Sequence, residues 1–303
     1  MSATPKPRFS ASEVAGILGR NPYKNKNEVL LKVLSQQYPR FKPVIESVKS
    51  SLGGKTEREI VAEAPPEIQR VLAECVAEST SAKTDAEFEG VVKRFKEQNA
   101  RVLLTNALNG SNVIRDLDID SVKTARARIQ TGQTTIEREL SALGPVLAGV
   151  IDASKEQETL ASEIQKRRGT KLEKVAEDAF VVDSGKEITE RNTFTQFECP
   201  EYRLIGYIDG FQDGKVVETK NRKRFWSIPP AYDFVQLRCY MLMKGKVPGV
   251  LLENFPAKAP RTTMVPWEDH MWESIHSGLC EVSAEIAGMT DENVANVARE
   301  VYG

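Results

Sequence analysis

The chain has 303 residues, with 42 Lys+Arg against 43 Asp+Glu, a formal net charge of -1 and 40% hydrophobic residues. That balance excludes a wholly disordered chain and leaves room for roughly one to three domains with a sizeable core. No run approaches the roughly 18 consecutive apolar residues of a membrane span, and the polar Met1 to Arg8 segment is unlike a secretory leader or acyl anchor, so a cytosolic or nuclear compartment is expected.

Phe9 to Gly19 reads as a short helix, N-capped by Ser10 or Ser12 and stopped by Gly19. Arg20-Asn-Pro-Tyr23 is then a turn, and a second helix runs from about Asn27 to Leu34. From about 43 to 165 apolar residues recur at helical spacing: Val71, Leu72 and Cys75; Val91, Val92 and Phe95; Val102, Leu103 and Ala107; then Ile129, Ile136, Leu140, Leu143, Leu147 and Ile151. Breaks fall at Gly53-Gly54, Pro65-Pro66, Gly110 and Gly144-Pro145. After Phe180 the texture changes. Asn192 to Glu198, Tyr202 to Gly210 and Lys215 to Lys220 read as strands, Ala231 to about Lys244 as a helix and Gly249 to Phe255 as another strand, followed by a helical tail from Trp267 to Tyr302. The expected organisation is N-terminal helices over 1–34, a helical segment over 35–162, an α+β core over 163–256 and a helical tail over 257–303.

Cys75, Cys199, Cys239 and Cys280 are scattered without a CxxC pair and read as reduced, mostly buried thiols. His270 and His276, the only histidines, sit in the helical tail and read as surface or core residues, with no Cys-His or Ser-His arrangement competing for catalysis. No GxxxxGK[ST] or GxGxxG loop points to a nucleotide cofactor.

The most informative segment is Ile205 to Lys220. Asp213-Gly214 is a two-residue hairpin signal. Counting back from it sets Gln212 opposite Lys215 and Asp209 opposite Glu218, and directly opposed residues have Cβ atoms about 4.5–5.5 Å apart. Two carboxylates so placed repel unless a cation lies between them or one is protonated, so a divalent metal is the economical reading. Hard oxygen donors suit Mg²⁺, with Mn²⁺ as a substitute, better than zinc. Lys220 shares the face of Glu218, where its ammonium can orient a water and stabilise developing negative charge. Alone, the pattern also fits a solvated hairpin face with an ordinary Glu218 to Lys220 ion pair. Against that, Leu204-Ile205, Ile208 and Val216-Val217 flank the charges with apolar residues, where unpaired charge is costly. Upstream, Glu173 adds a third carboxylate on a helix, with Gly169 one turn before it as a place for close backbone approach.

Gly169-x-x-x-Glu173, Ile208-Asp209-Gly210, Val217-Glu218-Thr219-Lys220 and Gln236-x-x-x-Tyr240 together resemble the ordered motifs of the PD-(D/E)xK nuclease superfamily. Phe9-Ser-Ala-Ser12 with Leu18-Gly-Arg-Asn-Pro-Tyr23 is similar to the opening of its YqaJ and phage lambda exonuclease branch, the viral recombinases. The resemblance covers about 8–34 and 163–256. It implies a restriction-endonuclease-like mixed sheet flanked by helices, with 35–162 as a helical insertion. It implies that Asp209, Glu218 and the Thr219 carbonyl hold Mg²⁺, with Glu173 holding metal directly or through water. Lys220 would position the attacking water, Gln236 and Tyr240 would line the site and touch the DNA strand, and Ser12 would meet a 5′-terminal phosphate.

The implied activity is 5′-to-3′ digestion of linear double-stranded DNA ends in viral or phage-type recombination. The implied associations are with a single-strand annealing protein and with further copies of the chain. A structure-specific or restriction-type endonuclease and a non-catalytic DNA-binding or assembly protein are the alternatives. The near-zero net charge speaks against a nucleic-acid partner, but local basic runs answer it: Lys166, Arg167, Arg168 and Lys171 flank Glu173, and Arg222, Lys223 and Arg224 follow Lys220, with Trp226 beside them as a stacking platform or a loop anchor.

Overall fold

A computed structural model of the chain describes residues 5–109, 119–143, 155–222, 225–255 and 258–303. The breaks expected at Gly110 and Gly144-Pro145, the helical positions Leu147 and Ile151, and the basic residues Lys223 and Arg224 lie outside these described residues.

The chain divides into two compact units, Met1–Thr56 with Glu173–Gly303, and Glu57–Leu172. The boundaries therefore fall later than the sequence texture placed them, and 258–303 belongs with the sheets of the first unit instead of forming a separate tail. The second unit is helical throughout its described residues: α4 (Glu57–Glu63), α5 (Pro66–Ser79), α6 (Asp85–Leu108), α7 (Ile119–Gln130), α8 (136–143) and the first half of α9 (Lys155–Ser184). Pro66 starts α5 at a position where a missing N–H costs nothing, and the Thr84 side chain caps α6 by accepting from the Glu87 N–H at 3.2 Å. Ile68, Leu72, Phe88, Phe95 and Ile164 bury one face of each of α5, α6 and α9 against the others.

The first unit is α+β. Its helices are α1 (Ala11–Ile17), α2 (Lys26–Gln37), α3 (Lys42–Leu52), the second half of α9, α10 (Ala231–Met243), α11 (Asp269–Ala287) and α12 (Asp291–Tyr302). Ser10 is the N-cap residue of α1, and Gly19 at φ +66° and Gly53 at φ +67° take the left-handed conformations that stop α1 and α3. The helical tail is two helices: Gly288 ends α11, and Thr290 with Asn293 forms a capping box that starts α12.

The strands form two small mixed sheets among the described residues. In the first, β3 (Arg203–Ile208) lies between β1 (Arg8–Ser10), to which it is parallel, and β2 (Thr193–Glu198), to which it is antiparallel. The second has the order β4 (Gly210–Gln212), β5 (Lys215–Asn221), β6 (Gly249–Phe255), β7 (Lys258–Val265), with β5 and β6 parallel and the outer pairs antiparallel. β1 and β7 are additions to the sequence reading. β7 contains Pro260, which only an edge position tolerates because it cannot donate to a ladder. The unit's core joins Phe9, Leu30, Leu34, Tyr202, Leu204, Val216, Leu237, Leu251 and Leu279. Fully buried β-sheet residues and helix faces thus fix β3 and β5, the two strands from which the chemistry projects.

Candidate active site

The register of the β4–β5 hairpin is Gly210 with Val217, Phe211 with Val216 and Gln212 with Lys215. Asp213 at φ +52° and Gly214 at φ +75° supply the two left-handed residues that a two-residue hairpin turn needs. Lys186 and Lys215 bind the Asp213 carboxylate and hold it below the usual carboxylate range. The same register brings Asp209 beside Glu218 just before β4 begins. Asp209 turns inward and its Oδ2 accepts from the Thr219 N–H at 2.7 Å. Glycines on either side of Asp209 let Tyr240 and Ile188 pack against the backbone there. A Cβ on Gly206 would lie 2.5 Å from Cε1 of Tyr240, and one on Gly210 would collide with the Ile188 side chain.

Glu218 is the closed floor of the cluster, with a side chain 1% exposed. Its Oε1 accepts from Lys220 Nζ at 2.6 Å, while its Oε2 is buried with no hydrogen-bond partner. Burial, and then the neighbouring Asp209 charge, push the Glu218 carboxyl up to about 8 against the pull of Lys220. Lys220 is half-buried, and its Nζ also donates to Gln236 Oε1 at 3.0 Å. Burial works to lower the Lys220 ammonium, but Glu218, Asp233 and Asp209 outweigh it and hold the group above its ordinary value, so it stays charged. Glu173 is lifted by burial and by Asp209, and Asp209 by burial, with Lys220 opposing both. The hairpin and α9 therefore concentrate more carboxylate than cation around Lys220.

Glu177 was not singled out in the sequence, although it follows Glu173 by one helical turn on α9. Burial raises its carboxyl to about 7 against the pull of Arg191, with Asp209 and Glu173 adding to the rise. Its side chain pairs with Arg191. The i, i+4 spacing was the available signal.

Several expected roles change. Arg168 is 3% exposed and its guanidinium donates to the carbonyls of Ser79 at 2.7 Å and Ala82 at 3.3 Å, so it ties helices of its own unit together and is not presented to a phosphate. Arg222 is likewise committed: its Nε donates to Glu253 Oε1 at 2.9 Å and its Nη2 to Asp233, with Arg261 on the other Glu253 oxygen. Buried counter-charges capture it beneath the hairpin. Tyr240 is buried, packs under Gly206, and accepts at its hydroxyl from Gln236 Nε2 at 3.4 Å, so it supports the site from below instead of touching a strand. A Cβ on Gly169 meets nothing within 4 Å, so close approach does not explain that glycine. Ser12 is exposed in the first turn of α1, its Oγ 3.1 Å from that of Ser10. Trp226 is 41% exposed, and its carbonyl accepts from Arg261. No described helix is long and apolar enough to cross a membrane.

No family model and no curated protein matches the chain. Among solved structures, the chain is similar to an alkaline exonuclease (LHK-Exo) from Laribacter hongkongensis, with 15% identity over 49% of this chain and 86% of that one, at a TM-score of 0.35. LHK-Exo in complex with dAMP matches with 15% identity over 50% and 89% of the two chains at a TM-score of 0.34. The structure titled SSO0001 matches with 17% identity over 48% and 68% at a TM-score of 0.31.

Proposed function

We propose that the chain is a metal-dependent deoxyribonuclease that hydrolyses phosphodiester bonds from the ends of linear double-stranded DNA. The observation that carries the reading is the buried Glu218 Oε2, which has no hydrogen-bond partner and lies among carboxylates that repel one another. A buried carboxylate oxygen left in that state costs stability unless a proton or a cation meets it, and a divalent ion answers it while leaving the carboxylates ionised. Asp209, Glu218, the Thr219 carbonyl and Glu173 supply an all-oxygen donor set suited to Mg²⁺ or Mn²⁺. When bound, such an ion polarises the phosphoryl oxygens and lowers the pKa of a coordinated water.

The chain's own residues account for the rest. The charged Lys220 ammonium, anchored by Glu218 and Gln236, is poised to orient a water and to meet negative charge as it develops on the phosphate. Gln236 and Tyr240, one turn apart on α10, brace that ammonium from the protein side. The half-open residues Asp209, Lys220 and Gln236 over a closed Glu218 floor give a substrate one side from which to reach the cluster.

The test incubates the full chain with linear and closed circular duplex in Mg²⁺, beside Asp209→Ala and Lys220→Ala. Digestion of the linear substrate that stops with a chelator and with either substitution supports the reading, while activity that survives any of these overturns it. Cleavage of the closed circle would replace the exonuclease reading with an endonuclease on the same residues. Digestion of 5′-phosphorylated against 5′-hydroxyl ends tests Ser12.

A further inference from the structure

At the other end of β3 lies a second cluster of quite different chemistry. Among the described residues, one carboxylate oxygen of Glu201, one ring nitrogen of His276 and the Sγ of Cys280 all lie within 4.8 Å of one another. Glu201 sits in the turn between β2 and β3, whereas His276 and Cys280 are one turn apart on α11, so the fold joins donors far apart in sequence. The i, i+4 spacing puts the imidazole and the thiol on the same face of that helix.

We propose that Glu201, His276 and Cys280 bind a borderline transition metal of the zinc class, clamping the β2–β3 turn to α11. This cluster is independent of the hairpin carboxylates. In a tetrahedral site with Zn–S of about 2.3 Å and Zn–N of about 2.0–2.1 Å, sulfur and nitrogen stand about 3.6 Å apart. Cys280 Sγ lies at a comparable distance, 3.7 Å from His276 Nε2, but also 3.8 Å from Nδ1, so the sulfur faces the ring and the imidazole must turn for Nε2 and Sγ to share an ion. The other ring nitrogen, Nδ1, is 2.7 Å from the Tyr202 hydroxyl. If Nδ1–H donates to that oxygen, the Nε2 lone pair is left free to take an ion, the tautomer that the outer partner of a metal-bound histidine fixes. Trp272 stacks on the imidazole from the preceding turn of α11, with centroids 6.3 Å apart, and limits its rotation.

The donor chemistry selects the ion. A thiolate and an imidazole favour zinc over Mg²⁺, and one thiolate with one carboxylate neutralises a divalent charge. Three protein ligands leave a fourth position for water. Cys199 lies in the same turn, but its Sγ is directed to the Tyr202 carbonyl at 3.6 Å and is not counted as a donor.

Titration of the full chain with Co²⁺, a spectroscopic stand-in for zinc, tests the site without any hydrolysis assay. The expected result is one equivalent of Co²⁺ giving thiolate-to-metal charge-transfer absorption, displaced by Zn²⁺ and accompanied by a rise in Tm. Cys280→Ser abolishes the band. Exposed Glu201→Gln, which leaves the fold intact, weakens Co²⁺ binding. Tyr202→Phe keeps the ring packing and weakens it about 10–100-fold, the usual cost of losing an outer-shell partner. Asp209→Ala leaves the band unchanged, so failure of the nuclease reading and failure of this one are separable. A folded chain that shows no charge-transfer band, or a band that persists in Cys280→Ser, overturns the proposal.

Discussion

Asp209 and Glu201 bracket the same strand, β3, and the extended run between them spans on the order of 25 Å at about 3.3 Å per residue. One end gathers only carboxylates around a lysine, and the other gathers a carboxylate, an imidazole and a thiol. The difference lies in what the protein supplies without an ion. The hairpin cluster holds its own counter-charge in Lys220, yet still leaves Glu218 Oε2 buried without a partner. At the α11 cluster the cation would have to come from outside, because His276 is met by a neutral phenol. The first arrangement suits a hard ion that comes and goes with substrate, the second an ion that stays.

Substitutions at the hairpin should break one side of this contrast and leave the other intact. Asp209→Ala is expected to reduce nuclease activity to background, and Lys220→Ala to lower kcat by about 10²–10³-fold, the range for removing one preorganised donor to developing charge. Rate measurements on linear duplex at saturating Mg²⁺ check both, and a Lys220→Ala enzyme with unchanged kcat would remove the lysine from the mechanism. Arg222→Ala comes next. It strands Asp233 in a buried setting and leaves Glu253 with Arg261 alone, and breaking such a pair costs about 3–5 kcal/mol. Because Arg222 is committed to carboxylates, denaturant unfolding should register that loss while the salt dependence of DNA binding stays as in the parent. A flattened salt slope would show that Arg222 grips phosphate after all.

Gly206 lies within β3, between the two clusters. Gly206→Ala puts a Cβ against the Tyr240 ring, and overpacking of this kind costs about 1–3 kcal/mol. Tyr240 accepts from Gln236, and Gln236 accepts from Lys220, so the displacement should lower nuclease activity while the cobalt spectrum of the α11 cluster stays unchanged. Equal damage at both ends would mean that the substitution merely loosens the unit.

The two ends of β3 also differ in how far they could be read from sequence. The hairpin register followed from a two-residue turn and a strand period of two, so Gln212 and Lys215 pair as counted. Gln236 and Tyr240 came from the motif resemblance, and the helical period only placed them one turn apart. Within the basic runs, Arg168 and Arg222 depart from the expected exposed surface, while Lys166 and Lys171 are exposed. Arg168 is tied to the Ser79 and Ala82 carbonyls, and Arg222 is neutralised by Asp233 and Glu253, partners that no local spacing reveals. The α11 cluster was hidden for the same reason. His276-x-x-x-Cys280 is a visible spacing, but Glu201 joins it only once the β2–β3 turn meets α11. β7 escaped because Pro260 argues against a strand everywhere except at a sheet edge.

The pH dependence of stability also separates the two clusters. Burial and Asp209 raise Glu218 from its ordinary 4.5 to about 8 in the folded chain, so between those values the folded state holds a proton that the unfolded state has released. The Glu218 contribution to stability is therefore fully present below about 4.5 and is lost as pH rises toward about 8. Glu218→Gln removes the titration, so the stability of the parent should fall relative to the variant across that window, measured by unfolding in a chelator. Mg²⁺ competes with the same proton, so it should bind more tightly as pH rises through the window and restore the parent but not Glu218→Gln. A parent-to-variant difference that is flat with pH would mean that Glu218 is ionised throughout, with Lys220 alone neutralising it and no demand for a metal at its second oxygen.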